Sequence, residues 1–392
     1  MKNLRLLLFV PILFISCSKS NDYASIEDYP NVKATFGSTI DLNSLLNYQN
    51  QTIPSYITKD NSLVNPITNK GATLGRVLFY DKKLSSNNTI SCASCHQQAN
   101  AFSDIAVASI GVNGTTGRHA MRLINTRFSN ESKFFWDERA ASLEIQTTQP
   151  IRNHAEMGYS GTNGDLTFAD LITKLNAVGY YKELFKYVYG TEEITESKIQ
   201  LALGQFIRSI QSFDSKYDTG RALATNDNQA FSNFTTQENN GKNLFITPPT
   251  FDATGNRTGG GLGCAGCHAA PEFDIDPNTK NNGIIGTIGS NTLDITNTRA
   301  PSLRDLVKVD GATNGPMMHT GVITSLQAAI GHYGTINIAP GNSNLDPRLM
   351  PNGFGQQLHL TSTEVNSVIA FLRTLSGTAV YTDARWSNPF PN

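Results

Sequence analysis

Five cysteines and seven histidines are the side chains of this 392-residue sequence best suited to bind a metal or a cofactor. Four of the cysteines recur in the pattern Cys-x-x-Cys-His, whose two copies consist of Cys92, Cys95 and His96 and of Cys264, Cys267 and His268. In c-type haem attachment, two such thiols bond to the porphyrin vinyl groups and the following histidine ligates the iron. A thioredoxin-like motif does not require that histidine, and a zinc site would need further Cys or His ligands at short spacing. The sequence therefore predicts two covalently attached c-type haems, with His96 and His268 as iron ligands.

The fifth cysteine, Cys17, ends an N-terminal segment in which Lys2 and Arg5 precede an apolar run at residues 6–15. This run is too short to span a bilayer as a stable helix. A cysteine directly after it is typical of a bacterial lipoprotein cleavage site, so we predict a signal peptide at residues 1–17 and a lipid anchor on Cys17. The protein would then face the periplasm, where export suits haem attachment outside the cytoplasm. Soluble periplasmic secretion and a buried structural Cys17 are the alternatives.

The composition excludes some partners. The formal net charge is −1 at pH 7 and charged residues make up 16% of the chain. This balance gives no electrostatic reason to expect nucleic-acid binding, and it predicts membrane contact through the lipid anchor only. The length indicates two or more domains.

The segments that must position the two motifs are predicted to be helical. A Gly-x-x-Leu-Phe sequence precedes each motif, at residues 75–79 and 241–245, and this internal repeat predicts two cytochrome c-like domains. Apolar residues at three-to-four spacing predict helices within residues 168–189 and 199–213. A capping box at Thr361 and Glu364 predicts the start of a last helix that stops at Gly377. Strand patterns are scarce, so the predicted fold class is mainly α, with one covalently attached haem in each domain.

Five further segments occur before, between and after the motifs, at residues 74–79, 135–140, 156–158, 302–304 and 316–321. Together with both haem motifs, and in this order over residues 65–376, the chain resembles the bacterial dihaem cytochrome c peroxidases and the related MauG-like enzymes. The latter mature a tryptophan-derived quinone cofactor. The resemblance implies a peroxidatic domain at residues 61–225 and an electron-transfer domain at residues 226–392. Residues 18–60 show no sustained periodicity and are predicted to be a polar linker.

The resemblance implies that the haem held by Cys92, Cys95 and His96 reacts with hydrogen peroxide. In many family members a histidine blocks the distal face of this haem, but the corresponding position here is Val112. Valine cannot ligate iron, so we predict a haem that is open to peroxide in the resting oxidised state. His119 is the alternative distal ligand, and a structural role for His119 is also open.

Three residues match catalytic positions of the family. Glu156 corresponds to the distal glutamate, and a carboxylate in an apolar pocket can take a proton from one peroxide oxygen and return it to the other. Gln146 corresponds to a glutamine that orients peroxide, and Trp136 to a tryptophan that relays electrons between the haems. Without the resemblance, Glu156 and Gln146 would be interpreted as surface residues and Trp136 as core. Glu138 replaces a family glycine, so we expect a different backbone geometry there.

Tyr333 is predicted to ligate the second haem on its distal side. Peroxidases of the family place a methionine there, whereas the MauG-like branch has a tyrosine, and a phenolate would lower the reduction potential. Met317, Met318 and His332 are alternatives, and Tyr333 could also simply pack.

A calcium ion between the domains is a family feature. Asn314 and Pro316 fall in the corresponding region, but His119 replaces an asparagine of that site. Whether the protein binds a calcium ion is therefore left open.

We therefore expect a dihaem c-type peroxidase that reduces hydrogen peroxide to water with electrons from a small redox protein such as cytochrome c. A MauG-like oxidase that uses peroxide to oxidise a partner protein is the main alternative. A non-enzymatic dihaem electron carrier is the third hypothesis. Nothing in the sequence decides between a monomer and a homodimer.

Overall fold

The computed structural model describes residues 28–130, 133–275 and 277–391. These ranges contain eleven α-helices and four short strands. The helices are α1 (Pro30–Phe36), α2 (Asn69–Tyr80), α3 (Cys92–Cys95), α4 (Leu143–Thr148), α5 (Phe168–Asn176), α6 (Gly179–Tyr189), α7 (Glu196–Ser209), α8 (Lys216–Ala222), α9 (Thr236–Ile246), α10 (Leu326–Gly334) and α11 (Ser362–Arg373). Two antiparallel pairs are formed by β1 (Pro249–Phe251) with β2 (Arg257–Gly260) and by β3 (His268–Ala269) with β4 (Asp274–Ile275). The predicted helical character is confirmed.

The membrane-related predictions concern the N-terminus. The proposed signal peptide and Cys17 lie outside the described residues. Within the described ranges, no helix combines the length and the apolar character needed to cross a bilayer.

Side-chain caps explain where the last helix begins. The hydroxyl of Thr361 accepts a hydrogen bond from the Glu364 N–H at 3.2 Å, and the Glu364 carboxylate accepts one from the Thr361 N–H at 2.9 Å. The predicted capping box is therefore confirmed, although α11 ends at Arg373 rather than next to Gly377. The single apolar stripe over residues 168–189 is two helices, because Val178 takes an extended conformation between α5 and α6.

Buried apolar residues form two large clusters that divide the chain. The first is built mainly from residues 32–210 and the second from residues 217–375. Packing therefore changes between Ile210 and Tyr217, earlier than the predicted boundary at residue 225. The C-terminal segment returns to the first cluster through Val380 and Trp386. The domain bounds 61–225 and 226–392 stay a prediction.

The described part of the predicted polar linker, residues 28–60, contributes side chains to the first core cluster. Helix α1 places Val32 and Phe36 in the first core cluster, and the Phe36 ring lies 5.3 Å from the ring of Tyr180. Tyr48 is also buried, and its hydroxyl donates to the carbonyl of Arg385 at 2.8 Å. A seven-residue helix contributes too few apolar positions for periodicity to reveal it.

The repeated Gly-x-x-Leu-Phe sequence lies where helices pack most closely. Helix α2 packs on α7, and α9 packs on α11. A Cβ atom on Gly75 would collide with the carbonyl group of Ala202, and one on Gly241 would collide with the carbonyl group of Ser367. The glycine of each repeat therefore permits close approach of two helix backbones, which is a packing requirement common to both halves.

We expect Gly75→Ala to destabilise the protein by about 1–3 kcal/mol, because the added methyl group overpacks the α2–α7 contact. Urea unfolding followed by circular dichroism would measure the change. Gly331→Ala is the matched control, since Gly331 lies in α10 and no described residue outside the neighbouring turns of that helix comes within 4 Å of the added Cβ. Equal losses in the two variants would contradict this explanation of the repeat.

Candidate functional site

The first Cys-x-x-Cys-His motif is presented by one turn of helix. Helix α3 begins after Ser91, whose backbone N–H donates to the hydroxyl of Ser94 at 3.0 Å. The backbone N–H of His96 donates to the carbonyl of Cys92 at 2.9 Å, which continues the turn into the histidine. Burial raises the pKa of Cys92 to about 12 and the pKa of Cys95 to about 11, so both thiols are uncharged at neutral pH.

The imidazole of His96 is oriented by a backbone carbonyl. Its Nδ1 lies 3.2 Å from the carbonyl oxygen of Phe102. Because a carbonyl only accepts, Nδ1 carries the proton and Nε2 keeps a lone pair for a metal. Ala101 and Phe102 have φ angles of 54° and 58°, and this left-handed turn brings the carbonyl back to the imidazole. Burial lowers the pKa of His96, which favours the neutral ligand form.

The second motif reaches the same arrangement with different local structure. A 3-10 turn over Cys264–Gly266 leads into β3, which begins at His268. Nδ1 of His268 lies 3.1 Å from the carbonyl oxygen of Pro301 and 3.3 Å from that of Phe273. Burial lowers the pKa of His268 to about 4. Its Nε2 is therefore also left as an unprotonated donor atom for iron.

A cavity of about 510 Å³ adjoins the second motif. Cys264, Cys267 and His268 all line it, and its volume falls within the range of roughly 300–1,000 Å³ that is usual for small-molecule sites. Lys280 and Arg299 also line the cavity, and cationic side chains suit the carboxylates of a haem. The thiols, the imidazole and the cavity together fit a covalently attached haem.

The predicted distal ligand and two of its competitors meet in this cavity. Tyr333, Met317 and Met318 line it, whereas His332 is not among the lining residues. The Asn282 side-chain amide lies 3.1 Å from both the Tyr333 hydroxyl and the Met318 sulfur, and the carbonyl of Asn282 pairs with the His332 ring at 2.9 Å. Burial raises the pKa of Tyr333 above its ordinary value. Sequence reasoning missed Asn282, because an asparagine in a loop carries no signal.

Glu156 lies beside the first motif. Its carboxylate interacts electrostatically with the thiols of both Cys92 and Cys95. Burial raises the pKa of Glu156 to about 7, and the Arg139 guanidinium opposes that rise. The side chain of Asn153 accepts the Glu156 N–H at 3.2 Å and so holds the turn that carries the carboxylate. A carboxyl group with this pKa can both accept and donate a proton near neutral pH.

Val112 is adjacent to that turn. Its N–H donates to the carbonyl of Glu156 at 3.0 Å, and a Cβ on Gly158 would lie 2.8 Å from a methyl group of Val112. His119, the alternative distal ligand, instead lines the cavity of the second motif, and its Nδ1 lies 3.0 Å from the carbonyl of Ala106.

Gln146 is the predicted site residue with the least structural support. It lies half-buried on α4, and in the described part of the chain its side chain forms no hydrogen bond with Glu156 or the first motif. Its neighbour Glu144 forms a salt bridge with Arg208 and accepts from Asn65 at 2.9 Å.

Trp136 connects the two halves. Its indole N–H donates to the carbonyl of His119 at 2.8 Å, and its own carbonyl accepts from the N–H groups of Thr298 and Arg299 at 2.9 and 3.1 Å. The ring lines the cavity of the second motif and meets the His319 ring edge-on at 6.2 Å. The His119 N–H in turn donates to the His319 carbonyl at 2.7 Å. His319 belongs to a segment that supported the family resemblance, but the sequence assigned it no role.

Glu138 adopts a backbone conformation that a glycine would also favour, and the expected difference from the family stays a prediction. Glu138 has a φ angle of 55°, which is the left-handed conformation that glycine favours, and Phe135 has a φ angle of 74°. The Glu138 carboxylate accepts from the hydroxyl of Thr298 at 2.8 Å, which helps to offset the strain. Arg139 stacks 3.6 Å from the Phe135 ring centroid and pairs with Asp137 at 2.8 Å. The loop therefore positions the Arg139 guanidinium, whose charge lowers the pKa of Glu156.

Comparison with known proteins places this arrangement in a family. Residues 69–227 match the family model of the di-haem cytochrome c peroxidases. The methylamine utilization protein MauG of Methylorubrum extorquens is 30% identical over 326 residues, which cover 79% of this chain and 79% of that protein. This chain belongs to the di-haem cytochrome c peroxidase family.

Other relatives agree with this membership. Cytochrome c551 peroxidase of Nitrosomonas europaea is 27% identical over 326 residues, covering 80% of this chain and 82% of that protein. The crystal structure of a MauG-like protein associated with microbial copper homeostasis matches with a TM-score of 0.65 and 28% identity. The match covers 87% of this chain and 99% of the chain in that structure. The predicted resemblance is confirmed, and the protein is an oxidoreductase of a family that acts on peroxide and carries two haems.

We expect Arg139→Gln to move the acid limb of the pH–rate profile for the peroxide reaction to higher pH. Without the cation, the carboxylate of Glu156 loses electrostatic stabilisation, so its pKa rises. The ionised base therefore appears only at higher pH. Stopped-flow spectra of the haem-loaded protein at a series of pH values would measure the shift.

The matched control is Arg152→Gln. Arg152 also stacks on an aromatic ring, that of Phe168, and pairs with a carboxylate, that of Glu196. It is not among the groups that shift the Glu156 pKa. Equal profiles for all three proteins would refute the assignment of Arg139.

Proposed function

We propose that this protein is a dihaem peroxidase that reduces hydrogen peroxide to water at the haem of Cys92, Cys95 and His96. Glu156 carries the proposal, because its half-buried side chain lies beside this motif and burial raises the pKa of its carboxyl group to about 7. Val112 supports an open distal face, since its side chain cannot ligate iron. A small c-type cytochrome or another small redox protein would supply the electrons.

Haem iron, when bound, supplies the electrons that break the oxygen–oxygen bond of peroxide. Glu156 handles the protons. In its ionised form it takes the proton from the peroxide oxygen nearest the iron, and in its protonated form it returns that proton to the departing oxygen, which leaves as water. Burial makes the carboxylate a stronger base than a surface glutamate, and it lets the neutral acid persist near pH 7. Gln146 would orient peroxide by hydrogen bonding.

Electrons would enter through the haem of Cys264, Cys267 and His268 and pass by way of Trp136. The position of Trp136 supports this, because its ring lines the second cavity and its backbone is bonded to residues of both halves. We assign Tyr333 as the distal ligand of the second haem. The position of its half-buried side chain in the cavity supports the assignment over His332, which is not among the lining residues.

A MauG-like oxidase of a partner protein is the second candidate function. Tyr333 favours it, because a tyrosine ligand stabilises oxidised iron and so suits the storage of oxidising power rather than easy reduction. MauG of Methylorubrum extorquens is among the relatives of this chain. Both functions share the peroxide chemistry of Glu156 and differ in the electron source.

The cellular setting is proposed from the sequence. Lys2, Arg5 and Cys17 support export and a lipid anchor that faces the periplasm, with soluble secretion as the alternative. Calcium stays a prediction. Among the described residues, the Asn314 side-chain oxygen is buried without a hydrogen-bond partner, and it is of the kind Ca²⁺ prefers. The side chain of His119, however, offers only nitrogen where the family has an asparagine.

We expect Tyr333→Phe to raise the reduction potential of the second haem, because removing the phenolate oxygen removes a ligand that stabilises ferric iron. Spectroelectrochemical titration would measure the potential. The control is His332→Gln, which should leave it unchanged. A shift in the His332 variant alone would refute the assignment of Tyr333.

The proposed function predicts peroxide-dependent oxidation of a reduced small c-type cytochrome by the oxidised protein as isolated. We expect Glu156→Gln to slow the reaction by roughly 10²–10⁴-fold, because the amide cannot transfer the proton. Glu193→Gln is the control, since Glu193 is an exposed carboxylate paired with Lys198.

Two other outcomes of the cytochrome oxidation experiment would lead to different conclusions. Turnover only after pre-reduction would show that a distal ligand blocks the first haem and that Val112 was misinterpreted. Peroxide-induced spectral change without cytochrome turnover would favour the MauG-like function.

A further inference from the structure

A buried cluster of three side chains lies in the first half, outside the residues considered so far. Asp81 follows α2, and one of its carboxylate oxygens accepts hydrogen bonds from the hydroxyls of both Tyr180 and Tyr181, at 2.6 and 2.8 Å. The other oxygen accepts the N–H of Lys83 at 2.8 Å. The two tyrosine rings are 4.8 Å apart. Two phenols therefore share one buried acceptor.

The cluster lies close to the first haem attachment site. Asp81, Tyr180 and Tyr181 are at most 6% exposed, and both tyrosines belong to the core cluster against which Cys92 packs. The Tyr181 hydroxyl also interacts electrostatically with the Cys92 thiol. Because Cys92 would carry the porphyrin, the two tyrosines and the attached haem would adjoin the same core cluster.

The geometry suits oxidation of tyrosine rather than its ionisation. Burial, and then the Asp81 carboxylate, raise the pKa of Tyr180 and of Tyr181 well above the ordinary value, so both phenols hold their protons at neutral pH. A phenol that loses an electron becomes a strong acid and must release its proton. A hydrogen-bonded carboxylate is the acceptor that makes this release possible in a dry interior.

We propose that Tyr180 and Tyr181 form a redox-active pair that supplies an electron to the His96 haem after peroxide has oxidised it. One electron passes from the phenol to the haem, the O–H bond breaks, and the proton moves to Asp81. A neutral tyrosyl radical remains. The electron is later returned by a reduced one-electron donor, such as a cytochrome, and Asp81 returns the proton. This proposal rests on the proposed peroxide reaction at the same haem.

A chain of aromatic rings leads from the pair toward the surface. The Tyr181 ring lies 6.4 Å from the Phe185 ring, and the Phe185 ring lies 5.8 Å from the ring of the half-buried Tyr189.

Tyr48 provides a contrast within the same core, because its buried hydroxyl donates to a backbone carbonyl, which is a far weaker base than a carboxylate. Burial alone therefore does not distinguish the pair. The shared carboxylate does.

The test is electron paramagnetic resonance of the oxidised, haem-loaded full chain, frozen shortly after mixing with one equivalent of hydrogen peroxide and no electron donor. Protein made with ring-deuterated tyrosine would identify a tyrosyl radical by the narrowed signal. We expect this signal in the unaltered protein, its loss in the double variant Tyr180→Phe/Tyr181→Phe, and a reduced yield in Asp81→Asn. Tyr48→Phe, the matched control, should keep the full signal.

The haem absorbance of each sample separates the possible failures. A haem that responds to peroxide without any tyrosyl signal, or an unchanged signal in the double variant, would overturn the redox-active pair and leave the peroxidase function standing. A haem that does not respond would overturn both. If Asp81→Asn does not fold, the double variant decides, because it keeps both rings. A purely structural cluster would change the melting temperature of the variants but not the radical yield.

Discussion

The candidate site depends on one loop that is hydrogen-bonded to both halves of the molecule. The indole N–H of Trp136 is held by the carbonyl of His119, and its carbonyl is held by the N–H groups of Thr298 and Arg299. These bonds orient the ring at the edge of the second cavity. They also require left-handed conformations on either side of Trp136, which cost about 1–3 kcal/mol for each residue other than glycine. The hydrogen bond from Thr298 to Glu138 and the stacking of the neighbouring arginine help to offset that cost.

The two attachment sites meet the same chemical demand with different local structure. The first uses a helical turn and the second a 3-10 turn followed by a short β-pair. In both, a backbone carbonyl accepts a hydrogen bond from the Nδ1–H group of the histidine, which leaves Nε2 free to bind iron. Both are also supported by a helix whose glycine allows a second helix to approach. What the halves share is therefore the presentation of donor atoms and the close helix contact, rather than the details of the turn.

Charge pairing separates structural carboxylates from the one proposed for catalysis. Burial alone would raise the pKa of Glu144, but the adjacent Arg208 and Asn65 bind the carboxylate and lower that pKa below its ordinary value. For Glu156, the charge of Arg139 opposes the effect of burial only in part, so burial raises the pKa of this carboxyl group to about 7. A carboxylate without a cation in contact keeps its capacity to accept a proton.

The attachment residues and the helical class could be predicted from the sequence, because both depend on patterns within short stretches of the chain. The spacing of Cys92, Cys95 and His96 is set within one turn, and apolar periodicity along a helix is readable within a dozen residues. Tertiary structure alone decided which distant residues meet: the return of the C-terminal segment to the first core, the approach of Asn282 to Tyr333, and the sharing of Asp81 by two tyrosines. No spacing rule encodes such contacts, since they depend on how helices far apart in the chain pack together. The short helix α1 was missed for the opposite reason, because its few apolar residues gain meaning only from the core they join.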